Sequence, residues 1–227
     1  MALKLRWLGH NAWLLSDGKH ELLIDPFLSG SPSAPVKASE LSPHFILLSH
    51  GHGDHVGDTV EIAKRTGATV VSNYEICEWL AKHGVQNTSG GNLGGWQTHA
   101  FGRVQLTLAW HSSTLPDGSP AGNPSGFLIE MAGKRLYFAC DTALFSDMQL
   151  IGADGLDLAV VPIGDFYTMG ISDAVHAVRM LKPKRALPCH YDTFPPIAQD
   201  AAKWAQRVQT EVGCEAVVLQ PGETITL

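Results

Sequence analysis

The chain has 227 residues, 44% of them hydrophobic, and its 16 Lys+Arg against 22 Asp+Glu give a formal net charge of −6. That length can bury a full-sized core, as one large domain or two small ones. With no basic run, no 18-residue apolar stretch and no charged-then-apolar opening, the composition argues against a nucleic-acid groove, a membrane span and a signal peptide.

In chain order, Leu3–Leu8 and Asn11–Leu15 read as short strands, the second turned by Asp17-Gly18. Glu21–Asp25 is a third strand, ended by Pro26, and a Ser/Pro-rich loop runs from Ser29 to Pro35. Phe45–Ser49 is apolar enough to be a buried strand. Val56–Arg65 reads as a helix closed by Gly67, Thr69–Ser72 as a strand, and Tyr74–Lys82 as a helix closed by Gly84. Asn87–Gly95 is Gly-rich and polar, hence a loop. Val104, Leu106 and Leu108 alternate with polar or small residues, as a half-buried strand does, and Ser112–Gly126 is a long loop. Phe127–Met131 and Arg135–Phe138 flank Ala132-Gly133-Lys134 as a hairpin. Helix and strand then alternate: helix Leu144–Ile151, strand Leu156–Val161, helix Ile171–Leu181, strand Arg185–Leu187 and helix Ile197–Thr210. A strand pair across Gln220-Pro221-Gly222 ends the chain. Strands open each half and strand–helix alternation closes it. That suggests an α/β four-layer αββα sandwich, two mixed sheets face to face with helices outside. No linker separates the halves, so residues 1–227 read as one domain.

Cys77, Cys140, Cys189 and Cys214 form no CxxC pair and read as free thiols in a reducing cytoplasm. Six Trp leave room for a homo-oligomer interface that the sequence does not locate. Trp110, beside His111, is expected to pack in the core rather than wall a pocket.

The chemistry concentrates in His50-Gly51-His52-Gly53-Asp54-His55, delivered by the Phe45–Ser49 strand. Side chains two apart in a strand point the same way. Gly51 and Gly53 let the backbone turn, so that Asp54 and His55 point back from the start of the next helix. Four ligand-type side chains in one short loop would overcrowd a tetrahedral ion, which favours two neighbouring metals. Further ligands should come from other strand ends, and His111, Asp141 and His190 each follow an apolar strand. Taken singly, Asp141 could simply cap a helix and either His could be a surface residue.

The cluster resembles the HxHxDH signature of the metallo-β-lactamase-fold hydrolases. The chain is similar to one branch of them, the UPF0173 group of metal-dependent hydrolases, itself similar to the ascorbate-6-phosphate lactonases. Besides His50 to His55, the resemblance rests on Gly9-His10-Asn11, Asp25-Pro26-Phe27, Asn92-Leu93-Gly94-Gly95, His111-Ser112-Ser113, Gly122-Asn123-Pro124, Asp141-Thr142, Pro162-Ile163-Gly164-Asp165, Thr168-Met169-Gly170 and the stretch from His190 to Pro195. It implies that His50, His52 and His111 hold one metal, that Asp54, His55 and His190 hold a second, and that Asp141 bridges them. The group usually has Gly before the bridging Asp, where this chain has Cys140. A pair other than Phe166-Tyr167 normally follows Gly164-Asp165.

Two divalent ions, Zn or Mn by preference and Ni or Fe as alternatives, would activate a hydroxide and polarise the scissile group. Asp54 and His52 are the catalytic candidates, Asp54 by orienting the hydroxide or carrying its proton. The expected activity is hydrolysis of an ester, lactone or phosphoester in a small, anionic molecule. A phosphodiesterase of small nucleotides or nucleic acid is the nearest alternative. A di-iron oxidoreductase and an inactive binding protein are the alternatives of other classes. His10, Asn11, Ser112, Ser113 and Asn123 are candidate lining residues, and His10 reads almost as well as an ordinary turn residue. Asp25 and Asp165 are candidate carboxylates for orienting a ligand imidazole, and Met169 and Tyr191 read as packing.

Overall fold

The structure, a computed structural model, describes residues 2–227, so Met1 lies outside the described residues. Two seven-stranded mixed sheets pack face to face with helices on both outer sides, the expected αββα sandwich. The first sheet has the order β14-β1-β2-β3-β4-β5-β6, from β1 (Lys4–Trp7), β2 (Trp13–Ser16), β3 (Glu21–Ile24), β4 (Phe45–Leu47), β5 (Thr69–Asn73), β6 (Thr88–Gly91) and β14 (Thr224–Thr226). The second has the order β13-β12-β11-β10-β9-β8-β7, from β7 (Trp96–His99), β8 (Gly102–Leu108), β9 (Ser125–Met131), β10 (Lys134–Phe138), β11 (Leu156–Pro162), β12 (Pro183–Cys189) and β13 (Glu215–Ala216).

Between the sheets, Leu5, Trp13, Leu15 and Ile24 face Val104, Leu106, Phe127 and Phe138 in one buried cluster, and Trp13 meets Phe138 edge to face at 6.0 Å. Outside the first sheet, helices α2 (Thr59–Thr66) and α3 (Tyr74–Lys82) lay Ile62, Ala63, Ile76 and Leu80 on Leu23, Ile46 and Val70. Outside the second lie α4 (Met148–Gly152), α5 (Ile171–Leu181) and α6 (Ala201–Val212), with Ala174, Val178, Trp204 and Val208 buried. Two of these helices are capped by side chains: for α3 Asn73 Oδ1 accepts from Ile76 N at 2.9 Å, and for α6 Asp200 Oδ1 accepts from Lys203 N at 2.9 Å.

Strand direction decides where chemistry can sit. β3, β4 and β5 are parallel to one another, as are β10, β11 and β12. Two antiparallel steps make β1 run with β3, and two more make β8 run with β10. The ends after β1, β3, β4, β8, β10 and β12 therefore form one edge of the sandwich, and they carry His10, Asp25, His50, His111, Asp141 and His190.

Several expected elements differ. Asn87–Gly95 is not all loop: Thr88–Gly91 pairs in parallel with β5. Thr-Ser-Gly-Gly has no apolar side chain to signal a strand, and Gly90 lies where α3 leaves room for little more than a hydrogen, a Cβ there meeting the Cys77 Cβ at 3.2 Å. The edge strand β7 was likewise not expected. The helix expected from Leu144 starts at Met148, and the one expected from Ile197 starts at Ala201, behind a single 3-10 turn at Pro195–Ile197. The terminal strands are not a pair: β13 joins β12 and β14 joins β1, so Gln220–Gly222 crosses from one sheet to the other.

The helix expected at Val56–Arg65 is broken in two, a short turn α1 (Gly53–Val56) and then α2. Gly57 makes the break, at φ 39°, with its α-carbon so close to the Pro26 carbonyl oxygen and Phe27 Cα that a Cβ would overlap both. Gly57→Ala is therefore expected to lower unfolding free energy by about 2–4 kcal/mol in urea titrations. A midpoint unchanged from the parent would show that this contact does not set the path of the chain beyond His55.

Candidate metal centre

Every cluster residue and every remote candidate from the sequence reaches one place. Nitrogens of His50, His52 and His111 lie within 4.8 Å of one another, as do ligand atoms of His10, Asp54, His55 and His190. Asp141 stands between the two sets. Its Oδ2 is 3.1 Å from His190 Nε2, 3.4 Å from His55 Nε2 and 3.5 Å from His111 Nε2.

Partners on the far sides of the rings fix which nitrogen faces inward. Asp25 follows β3 in a left-handed conformation and is fully buried. Its carboxylate accepts from Ser49 N (2.8 Å), Ser49 Oγ (2.5 Å) and Asn11 Nδ2 (2.8 Å), and it takes His55 Nδ1 at 2.8 Å. A carboxylate only accepts, so His55 carries its proton on Nδ1 and turns the Nε2 lone pair into the cluster. Ser49 Oγ, having donated to Asp25, accepts from His50 Nδ1 at 2.9 Å and turns His50 Nε2 inward, 2.9 Å from His52 Nδ1. Asp25 is close enough to His50 and His55 to count as a third ligand set, but four donors already occupy it, and it orients ligands rather than joining them.

Four of the inward atoms have no hydrogen-bond partner. His55 Nε2, both ring nitrogens of His190 and Asp141 Oδ1 are buried without a hydrogen bond. A lone pair aimed at a carboxylate oxygen is repulsive unless a proton or a cation lies between them. The donor set, imidazole nitrogens plus carboxylate oxygens, suits a divalent transition metal.

The electrostatics agree. Burial is the largest influence on His50, His52 and His111 and holds all three below the ordinary imidazole range, so that they stay neutral. Burial, helped by His190, brings His10 down to about 4. Burial also opposes charge on His55, but Asp141 and Asp25 outweigh it and raise His55 well above the usual value. Asp141 is burdened by burial too, yet His190 and His55 pull it well below the usual carboxylate value. In the protein alone a proton on His55 supplies the positive charge that these carboxylates require, and a metal would take over that duty.

Other expectations resolve unevenly. His10 is no ordinary turn residue: it is fully buried, with Nε2 3.2 Å from Asp54 Oδ2 and Nδ1 2.8 Å from Thr193 Oγ1. Asn11 holds Asp25, and its Oδ1 accepts from Cys189 Sγ at 3.2 Å. Ser113 Oγ accepts from Gly51 N at 3.1 Å and steadies the His loop, while Ser112 Oγ lies 3.4 Å from His52 Nε2. The Asn123 carbonyl accepts from Asn73 Nδ2 at 2.9 Å. Asp165 buttresses no imidazole: it starts a tight turn, its N donating to Met169 O at 3.0 Å. Tyr191 stacks on Trp7 at 5.4 Å and Met169 is core. Trp110 is 63% exposed, against the expectation that it packs inside. All four cysteines are free and buried. Ser49 and Thr193 were missed, because a lone Ser or Thr carries no pattern. The one available signal was Ser49's position between a buried strand and His50.

A family model described as a beta-lactamase superfamily domain matches residues 20–191. A UPF0173 metal-dependent hydrolase of Thermus thermophilus is 49% identical over 225 residues, covering 99% of each chain. One from Symbiobacterium thermophilum is 50% identical over 229 residues, covering 99% of this chain and 100% of the relative. Among solved structures, Igni18, a metallo hydrolase from the archaeon Ignicoccus hospitalis, superposes with a TM-score of 0.91 at 34% identity, covering 100% of this chain and 99% of that one.

Two outcomes follow from the geometry. Asp25→Asn turns an all-acceptor group into one that presents NH2 to existing donors, and it is expected to weaken metal affinity by about 10–100-fold in competition with a chelator. Equal affinity in parent and variant would remove Asp25 from the orienting role. In metal-free protein, His10, His50, His52 and His111 bind protons less readily folded than unfolded, so the stability they confer is present above pH ~6.5 and lost as pH falls below it. For His10, whose value drops from 6.5 to about 4, the loss over that window is roughly 3 kcal/mol. His55 has the opposite sign: its contribution is complete below pH ~6.5 and fades only at higher pH. The urea midpoint of chelator-treated protein should therefore fall between pH 6.5 and 4, and a flat or rising midpoint would count against these assignments.

Proposed function

The chain belongs to the UPF0173 metal-dependent hydrolases of the beta-lactamase superfamily, and on that premise we propose that its cluster holds two divalent cations and hydrolyses an ester, lactone or phosphoester bond of a small molecule. The observation that carries this reading is the meeting of three imidazole Nε2 atoms at a single oxygen of Asp141, at 3.1, 3.4 and 3.5 Å. One ion is assigned to His50, His52 and His111 and the other to Asp54, His55 and His190, with Asp141 shared. Zn or Mn is preferred for the mixed imidazole and carboxylate donors, and Ni or Fe is compatible with the same set. Bound there, the ions supply the Lewis acidity that polarises the scissile group and lowers the pKa of water.

The chain's own groups account for proton handling and orientation. Asp54 is one-third exposed while His55, His50 and Asp141 are buried, so it is the carboxylate that can meet incoming substrate and water. Its pKa is low: burial opposes ionisation, but the His10 hydrogen bond and the charge of His55 prevail. Asp54 is thus an acceptor at neutral pH, able to hold the proton of the attacking water and pass it to the leaving group. The chain from Thr193 through His10 to Asp54 sets its orientation. If Thr193 Oγ donates to His10 Nδ1, the ring proton sits on Nε2 and donates to Asp54. His52, half-buried and beside Ser112, is the imidazole nearest solvent.

The test is metal content and turnover together. Protein purified with its metal should hold about two equivalents per chain and hydrolyse simple esters, lactones or phosphodiesters. His111→Ala and Asp141→Ala should each lower kcat/KM by about 1,000-fold or more while retaining the parent circular-dichroism spectrum. Unchanged turnover in either variant overturns the assigned chemistry, and full occupancy at one equivalent overturns the paired site.

A further inference from the structure

We infer that the part of the substrate beyond the scissile bond is uncharged and apolar, and that it lodges against the exposed aromatics of the metal-bearing edge, Trp110 and Phe166-Tyr167. This rests on the hydrolase reading above and names the substrate class of the same site.

The first ground is charge. The loops on the metal-bearing edge, residues 25–37, 48–58, 109–124, 139–147, 163–170 and 190–200, contain one lysine, Lys37, and no arginine, against six aspartates besides Asp25, Asp54 and Asp141 of the centre itself. Lys37 is exposed, and its backbone N donates to the Glu40 carboxylate at 2.9 Å as a 3-10 turn begins. Several of these aspartates cap backbone: Asp58 accepts from Leu28 N and Ser29 N, Asp192 from Gln199 N and Asp200 from Lys203 N. A phosphate or carboxylate remote from the reacting bond would normally be clamped by guanidinium or ammonium groups. Here it would face aspartates instead. The anionic substrate suggested by the lactonase likeness finds no side-chain counter-charge on these loops beyond Lys37.

The second ground is what the edge does expose. Tyr74, Trp110, Phe166 and Tyr167 are the aromatic residues among the large exposed apolar side chains, and all four follow strand ends on this edge. Trp110 directly precedes His111; its N donates to Thr142 Oγ1 at 2.9 Å and its O accepts from Ala143 N at 3.1 Å, which ties it to the Asp141 turn. Beside it opens a hollow of about 400 Å3 whose walls are Leu108, Trp110, Ala143, Leu144 and Phe145, with Ser146 and Asp147 at its polar end. Further along the same edge, the turn that Asp165 starts at φ 63° carries the exposed Phe166 and Tyr167, edge to face at 4.8 Å. Gly164 fixes that turn against His190, whose carbonyl a Cβ would overlap. β11 lies between β10 and β12, so the aromatic turn stands between the strand ends of Asp141 and His190. Exposed aromatics concentrated at one edge lose their contact with water only when an apolar group covers them.

The test needs no known substrate. Metal-loaded protein is titrated calorimetrically with acetohydroxamic acid, benzohydroxamic acid and an alkyl hydroxamic acid ending in phosphate. The inference expects benzohydroxamate to bind at least 10-fold tighter than acetohydroxamate, and the phosphate-bearing ligand no tighter than acetohydroxamate. Trp110→Ala, and Phe166→Ala combined with Tyr167→Ala, should reduce the benzohydroxamate advantage to under 3-fold while metal content and acetohydroxamate affinity stay at parent values. Preference for the phosphate, or variants that leave selectivity unmoved, overturns the inference. So does light scattering in which the variants dissociate an oligomer without changing any hydroxamate affinity, since the aromatics then bind a second copy of the chain. Metal uptake with reversed selectivity sinks this inference alone, whereas a protein that takes up no metal sinks the hydrolase reading as well.

Discussion

The centre depends on confining buried negative charge. Asp25 and Asp141 are both buried, and each is enclosed by groups that meet its carboxylate. Around Asp25 these are four hydrogen-bond donors; around Asp141 they are imidazole nitrogens whose lone pairs face it. The first arrangement is satisfied by protein alone. The second is not, because lone pair against lone pair leaves a gap in the electrostatics that only positive charge fills. The division of labour is clear: Asp25 builds the cage and Asp141 needs its occupant.

The backbone strain fits this arrangement. His10, Asp25, Cys140 and His190 all adopt left-handed φ, between 39° and 54°. Each is at or next to the end of a strand that feeds the cluster. Such conformations cost about 1–3 kcal/mol each for residues with a Cβ and persist only where surrounding contacts over-determine them. The contacts are present: His10 O accepts from His190 N at 3.1 Å, joining two of the strained corners directly, and Asp25 is pinned by its donors. Cys140 holds the place where the resemblance expects Gly, and its φ of 51° explains the preference for Gly there. Its thiol is buried and its pKa is raised by burial first and by Asp25 next, so it stands beside Asp141 in the chain as a neutral group.

The order of layers was legible because parallel central strands such as Phe45–Leu47 and Leu156–Pro162 are apolar on both faces, and amphipathic helices such as Ile171–Leu181 alternate with them. β6 was not legible, since Thr88-Ser89-Gly90-Gly91 is a strand by virtue of its neighbour's free backbone groups and not of its side chains. The His50–His55 loop declared itself through composition. His111, Asp141 and His190 did so only jointly, each at a strand end. Ser49 and Thr193 act through single hydrogen bonds to His50 and His10, and one hydroxyl has no spacing to read. Trp110 was misread for a related reason: apolar character says that a side chain leaves water, not whether protein or ligand covers it.

The fold leaves substrate choice to segments that contribute little to the core. The strands fix where imidazoles and carboxylates end, and that geometry serves any bond a polarising cation can weaken. What differs from one such protein to another must be written in the loops on the same edge. In this chain those loops spend several of their aspartates on backbone amides and hold their exposed aromatic rings on the edge that bears the centre. A rim so made excludes remote negative charge by repulsion and admits apolar surface by its release from water. Selectivity of this kind is built from what the edge lacks as much as from what it presents, and the imidazole cluster beneath is free to stay the same.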